Sequence, residues 1–166
     1  MVTLLKKNQG ITLIEVLVVI AILGILASIA VPSYQDMIER NRLKQAAESL
    51  ADDLKFARTE AIKKSNSVTL VFNNTSTCYG ITTGGACVCT TTGSCDLKTV
   101  DVSQFSGITM TGNPVTFTFQ RGTTTNSASI TTTINSAHYQ AGVIASPIGK
   151  VTICTTGHVM GYPSCP

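Results

Sequence analysis

Charge is scarce in this sequence and almost missing from its second half. Only 13% of the 166 residues are charged, and from Thr99 onward the charged side chains are Asp101, Arg121 and Lys150. The net charge of +3 falls to +1 once Lys6 and Lys7 are set aside. That leaves no global basic field of the kind that attracts nucleic acid. Histidine is rare as well: His138 and His158 stand without the neighbours of a metal-ligand helix or a catalytic triad, and read as surface or loop residues. No nucleophile elbow and no phosphate-binding loop occurs, and Asp52-Asp53 reads as a solvated helix face rather than an acid–base pair. Catalysis has no constellation, so the chain is expected to be a non-enzyme without a cofactor. No repeat and no linker divides it, and its length suits about one domain.

In place of charge, the distal half is crowded with Thr, Ser, Gly and Asn between short apolar stretches, the composition of β-structure outside the cytoplasm. The six cysteines (Cys78, Cys87, Cys89, Cys95, Cys154 and Cys165) all lie in that half. An even number in a neutral, exported domain favours disulfides. Cys154 is expected to pair with Cys165 and close a short C-terminal loop, leaving the other four to pair among themselves. The competing reading is a thiolate cluster at Cys87-Val88-Cys89 with Cys95. Zinc sites usually need two spaced pairs, and an exported domain sits in an oxidising compartment, so no metal site is expected.

The N-terminus decides the class. Residues 1–10, MVTLLKKNQG, are short, basic and end in Gly10. Residues 11–31 follow as an apolar run interrupted only by Thr12, Glu15 and Ser28, close to the roughly 20 residues that cross a bilayer. Lys6 and Lys7 just before it place the N-terminus in the cytoplasm and everything past Val31 outside. A cleaved secretory signal would have a shorter apolar core and a small-residue cleavage site. Here the segment runs straight into an amphipathic helix and is expected to be kept. Glu15 is the anomaly, because a carboxylate in such a segment costs a few kcal/mol unless paired or able to reach the interface. The residue pattern leaves both readings open: a functional carboxylate, or one that snorkels to the headgroups.

KKNQG followed by ITLIEVLVVIAILGILASIAVPSY resembles the class III signal of type IV pilins and pseudopilins. The resemblance implies that a prepilin peptidase cuts between Gly10 and Ile11 and methylates Ile11. It also implies that Glu15 neutralises the terminal amine of a neighbouring subunit, and that Pro32 is the helix-kinking proline. Ile11 departs from the usual phenylalanine at that place. The implied partners are other pilin subunits, the peptidase and the inner membrane. The implied course runs from that membrane to a surface pilus or a periplasmic pseudopilus.

Past Pro32 the helical pattern continues to about Lys64, with Leu43, Ala46, Ala47, Leu50, Leu54, Ala57 and Ala61 on one stripe. Lys44–Glu48 and Glu60–Lys64 are favourable i,i+4 pairs on the remaining surface. Ser65-Asn66-Ser67 ends the helix. The strand candidates are 68–72, 97–102, 107–111, 115–119, 129–134, 142–145 and 151–154, with Phe117 and Phe119 alternating with threonines. Residues 73–94 read as an irregular, disulfide-tied loop. The fold expected is α+β: a long N-terminal helix packed on an antiparallel sheet or β-sandwich-like domain carrying disulfides. Its divisions are a leader at 1–10, a helix at 11–64 with 11–31 in the membrane or filament core, and a β-rich domain at 65–166.

Asn41-Arg42-Leu43, Phe56-Ala57-Arg58-Thr59-Glu60-Ala61-Ile62 and Val68-Thr69-Leu70 resemble the GspH/FimT group of minor pilins and pseudopilins. This implies a minor pilin supporting filament assembly, and with it adhesion or DNA uptake in competence. The alternative is a minor pseudopilin of type II secretion. Some members bind DNA through Gly-Arg-x-Arg, and the matching place here is Gly149-Lys150-Val151-Thr152, where one basic side chain is kept and the second is replaced by Thr152. Lys150 is thus the DNA candidate, with Arg121 and Lys98 as weaker ones if the fold gathers them. One lysine supplies one phosphate contact where useful binding needs several.

Overall fold

The computed structural model describes residues 11–73, 77–84, 86–125, 129–156 and 159–165. Residues 1–10, expected to be a leader and including Gly10, and His158 lie outside them. The chain divides into two compact units at the boundary between Ile38 and Glu39.

In the first unit, residues 11–35 are exposed throughout. They form the start of helix α1 (Leu13–Lys64), which contains Pro32 without a break in the helical assignment. Its most apolar 18-residue window has a mean hydropathy of 2.9 and buries nothing within the chain, so α1 is long and apolar enough to cross a membrane.

In the second unit, α1 turns its stripe inward: Leu43, Ala46, Ala47, Leu50, Ala51, Leu54, Ala57 and Ala61 are all buried. Alanine at five of these eight places brings the helix backbone close to the strands it covers. α1 stops as its residues dictate. Ser65 takes a left-handed φ of 50°, while Ser65 N–H donates to Ile62 O and Asn66 N–H to Ala61 O. These two bonds form a Schellman cap with serine in the place glycine usually holds.

Among the described residues, eight strands make two antiparallel four-stranded sheets. The first has the order β3 (Lys98–Asp101), β2 (Cys78–Thr83), β1 (Val68–Phe72), β5 (Val115–Phe117). The second has the order β4 (Thr109–Thr111), β6 (Ile130–Asn135), β7 (Gln140–Ala145), β8 (Val151–Thr155). One apolar core joins the α1 stripe to both sheets through Leu70, Tyr79, Ile81, Phe117, Ile134 and Val143. The threonine richness has a use on these sheets, where Thr69 and Thr116 share a cross-strand hydroxyl contact of 2.9 Å.

Three expectations are corrected. β2 lies within 73–94, which read as irregular, and it is a central strand with Tyr79 and Ile81 fully buried. Its cysteine and glycine hid it. Gly80 is there because a Cβ would sit 2.2 Å from Cys95 Sγ, so the disulfide layer lies directly on the strand. The strand expected at 115–119 ends at Phe117, and Phe119 is exposed in a turn held by Gly122 N–H to Thr118 O at 3.0 Å. Glu60 pairs with Lys63 at 3.0 Å, not with Lys64; i,i+3 and i,i+4 share a helix face, and the nearer lysine takes it.

The disulfides are Cys78–Cys89, Cys87–Cys95 and Cys154–Cys165. The first ties the β2–β3 connection to β2, and the second closes a loop within that connection. The third ties the C-terminal segment to β8.

Candidate assembly and recognition sites

The first candidate is the start of α1. Thr12 begins the helix: its carbonyl accepts from Glu15 N–H at 3.2 Å and Val16 N–H at 3.3 Å. Glu15 sits in the first turn, where a carboxylate complements the helix dipole. It is the single acidic residue between Ile11 and Val31, on a segment whose isoleucines, leucines and valines are all exposed. Ile11 is exposed beside it. A solvated helix could not keep that much apolar surface in water, so this segment needs lipid or other helices around it.

The second group of features holds α1 against the sheets. Asp53 is 5% exposed, which corrects its reading as half of a solvated pair. Tyr79 donates its hydroxyl to Asp53 Oδ2 at 2.7 Å, and Lys98 Nζ lies 2.5 Å from Oδ1. A phenol and an ammonium thus satisfy a carboxylate that burial alone would not tolerate. Burial and the Asp53 carboxylate push the Tyr79 phenol far above its ordinary value. Asp52, the neighbour, is exposed and pairs with Lys55 at 2.8 Å. At the other end of the same helix face, His138 N–H and Nδ1 lie 2.8 and 2.9 Å from the two Glu39 oxygens. Those bonds, His138's side chain first, hold Glu39 at about 2. Arg40 lies 4.8 Å from the Tyr139 ring centroid and donates to its hydroxyl at 2.8 Å. The β6–β7 turn therefore grips α1 where the second unit begins. A third tie is Tyr162, whose hydroxyl donates to Glu48 at 2.7 Å; burial, then Glu48, raises it to about 12.

The third candidate is basic. Lys98, Arg121 and Lys150 do not converge. Lys98 is on β3, one edge of its sheet, and is taken by Asp53. Arg121 follows β5, the opposite edge. The turns that carry Arg121 and Lys150 do touch: Thr124 N–H donates to Pro147 O at 3.0 Å, and a Cβ on Gly149 would stand 1.9 Å from Gly122 O. Gly122 and Gly149 have φ of 62° and 76°, open to glycine and strained for other residues. Arg58 of α1 lies against both, its Nε 2.8–2.9 Å from where either Cβ would be, and that Nε is buried without a hydrogen-bond partner. In the sequence Arg58 stands out only as part of the motif at 56–62. Its signal was a basic residue next to the apolar stripe, one helical position past Ala57, but nothing in the spacing revealed the two glycine turns it meets.

No group of three or more His, Cys, Asp or Glu able to hold a metal occurs among the described residues.

A family model described as type II transport protein GspH matches residues 46–149, well over half of the chain. The chain belongs to this family. A second model, the prokaryotic N-terminal methylation motif, matches residues 5–31. A fimbrial protein of Moraxella nonliquefaciens is 53% identical over 51 residues, 31% of this chain and 32% of that protein. The chain thus matches about a third of the length of its curated fimbrial relatives. Among solved structures, the type IV minor pilin FimU of Pseudomonas aeruginosa has a TM-score of 0.55 at 22% identity, covering 70% of this chain and 91% of that one. The minor pseudopilin EpsH of the Vibrio cholerae type 2 secretion system has a TM-score of 0.52 at 14% identity, covering 70% and 98%. Both share the fold of this GspH-family chain: a long helix packed on antiparallel sheets. Pilins and pseudopilins are structural subunits, and an apolar N-terminal helix in this family accords with membrane anchoring.

Proposed function

We propose that this GspH-family chain is a minor pilin of a type IV pilus, cut after Gly10 and carried from the inner membrane into the filament by residues 11–31. The observation that carries the reading is Glu15, a lone carboxylate in the first turn of an otherwise apolar, fully exposed segment. A likeness to fimbrial proteins over about a third of the chain and the N-terminal methylation motif at residues 5–31 support it. In the filament core Glu15 would be an unpaired charge in low dielectric, at a cost of several kcal/mol. An α-amino group stays protonated up to about pH 8, and methylation keeps it a cation. The amine of a neighbouring Ile11 supplies the missing partner, and subunits that fail to align Glu15 with it are penalised. Orientation follows from Lys6 and Lys7, which hold the N-terminus in the cytoplasm and leave the β-rich unit outside.

The second reading is a minor pseudopilin of type II secretion, favoured by the GspH model over residues 46–149. Deleting the gene separates them. Loss of surface filaments with normal protein secretion supports the pilus; lost secretion with filaments unchanged selects the pseudopilus. DNA capture is a weaker extension. Arg58, Arg121 and Lys150 offer about three phosphate contacts, where established DNA binders often make about 6–10.

A further inference from the structure

Ile62, Phe119 and Ile148 are 50%, 44% and 68% exposed in a unit whose other large apolar side chains are mostly buried. The turns just described bring them together. Ile62 Cδ1 lies 3.0 Å from where a Gly122 Cβ would be, Phe119 is in the same turn as Gly122, and Ile148 precedes Gly149. Arg58, Arg121 and Lys150 border these three residues. Among the described residues no carboxylate lies within ion-pair distance of any of the three cations. An apolar centre with a charged rim is the anatomy of a protein interface, where arginine is enriched.

We propose that this face docks a different subunit of the same filament, through an aliphatic or aromatic knob flanked by Asp or Glu. This rests on the filament-subunit reading above. Two observations choose the occupant. First, every acid in the β-rich unit of a second copy already has a hydrogen-bond or ion-pair partner within its own chain, and Asp53 is buried. Glu39 is held by His138, Glu48 by Tyr162, Asp52 by Lys55, and Asp53 by Tyr79 and Lys98. Glu60 is held by Lys63, Asp96 by Thr83 and Asp101 by Ser103 N–H. Second, two of the three apolar residues are isoleucines, which give a base no ring to stack on, and three cations make a small polyanion footprint. Aliphatic contact with an acidic rim suits folded protein better than nucleic acid.

The test uses the full-length chain at native level in filament-producing cells, with a photoreactive benzoylphenylalanine at Phe119. Filaments are illuminated and sheared, and the crosslinked peptides are sequenced. The expected product joins Phe119 to another filament polypeptide at a site carrying Asp or Glu. Arg121→Glu with Lys150→Glu should lower its yield at least about tenfold, since like charges across an interface cost several kcal/mol. Acid-to-Lys changes in the partner should restore it. If the double variant fails to accumulate, Ile148→Ser gives the same readout. Crosslinks between two copies, crosslinks to nucleic acid, or none in filaments that contain the chain would overturn the proposal and leave the pilin reading intact. Absence of the chain from the filaments overturns both.

Discussion

Tyr79 and Asp53 stand 26 positions apart in sequence and meet through a 2.7 Å hydrogen bond in the core, with Lys98 closing on the other carboxylate oxygen. This is the point where α1, β2 and β3 are locked in register. Apolar contacts between alanine-rich helix and sheet tolerate sliding; a buried carboxylate that must find one phenol and one ammonium does not.

Tyr79→Phe removes one donor and keeps the ring. It is expected to destabilise the β-rich unit by about 1–3 kcal/mol, the range for a buried acceptor left short of a partner. Lys98→Met should have an effect of the same sign, and the double variant should fall short of the sum because both act on one carboxylate. Denaturant unfolding of the three variants measures this. Additive losses would show that the two bonds are independent.

Acid should loosen the unit in a defined window. Glu39 and Asp96 are both held at about 2, below ordinary values of 4.5 and 3.8, by His138 and by Thr83 respectively. A folded-state value below the unfolded one means the stabilisation is whole above the unfolded value. It is lost as the pH drops from the mid-fours toward 2. In Glu39→Gln with Asp96→Asn, unfolding midpoints followed against pH should decline less steeply across that window. An unchanged slope would assign the acid sensitivity to other carboxylates.

Gly149→Ala places a methyl 1.9 Å from the Gly122 carbonyl oxygen on a residue with φ of 76°. Strain of that kind is worth about 1–3 kcal/mol, and the turn carrying Lys150 must move away from the turn carrying Arg121. Lower thermal stability is expected, and so is weaker Phe119 crosslinking to the partner subunit. Gly84→Ala is the control, because it has a positive φ of 103° and open space around it. Equal losses at both positions would mean that conformation alone, and not the meeting of the turns, sets the effect.

Breaking Cys154–Cys165, which closes a loop of sequence separation 11, with a pair of serines leaves the C-terminal segment on β8 through the backbone bonds of Thr155 with Pro163 and Cys165. A loss of about 2–4 kcal/mol is expected from the released chain entropy. Proteolysis near Tyr162 should rise, because the Glu48–Tyr162 bond and the Thr155 backbone bonds would then hold that segment without a covalent tie. Unchanged cleavage kinetics would contradict that role.

Much of this molecule was legible in its sequence, and the rest was hidden for physical reasons. The stripe from Leu43 to Ala61 follows from a period near 3.6, because one face of a helix must meet the core. The charge asymmetry and the apolar run at 11–31 marked the N-terminal segment for the same kind of reason. β2 was hidden because Cys78 and Gly80 look like loop residues, whereas the fold uses them to seat a disulfide layer on a buried strand. Asp53 looked solvated because a local pattern cannot show a partner at Tyr79 or Lys98. Arg121 and Lys150 are 29 positions apart, and what joins their two touching turns is a glycine on each, with Arg58 arriving from the helix. Long-range pairs of this kind are set by topology, which no window along the chain contains.

The most direct measurement of the central claim is the intact mass and N-terminal sequence of this chain recovered from sheared filaments. A subunit beginning at Ile11, carrying one added methyl group, and depleted from filaments by Glu15→Ala while still being cut, is the result expected of a processed pilin. A chain that keeps residues 1–10, or a Glu15→Ala variant present at the wild-type level, would contradict the account.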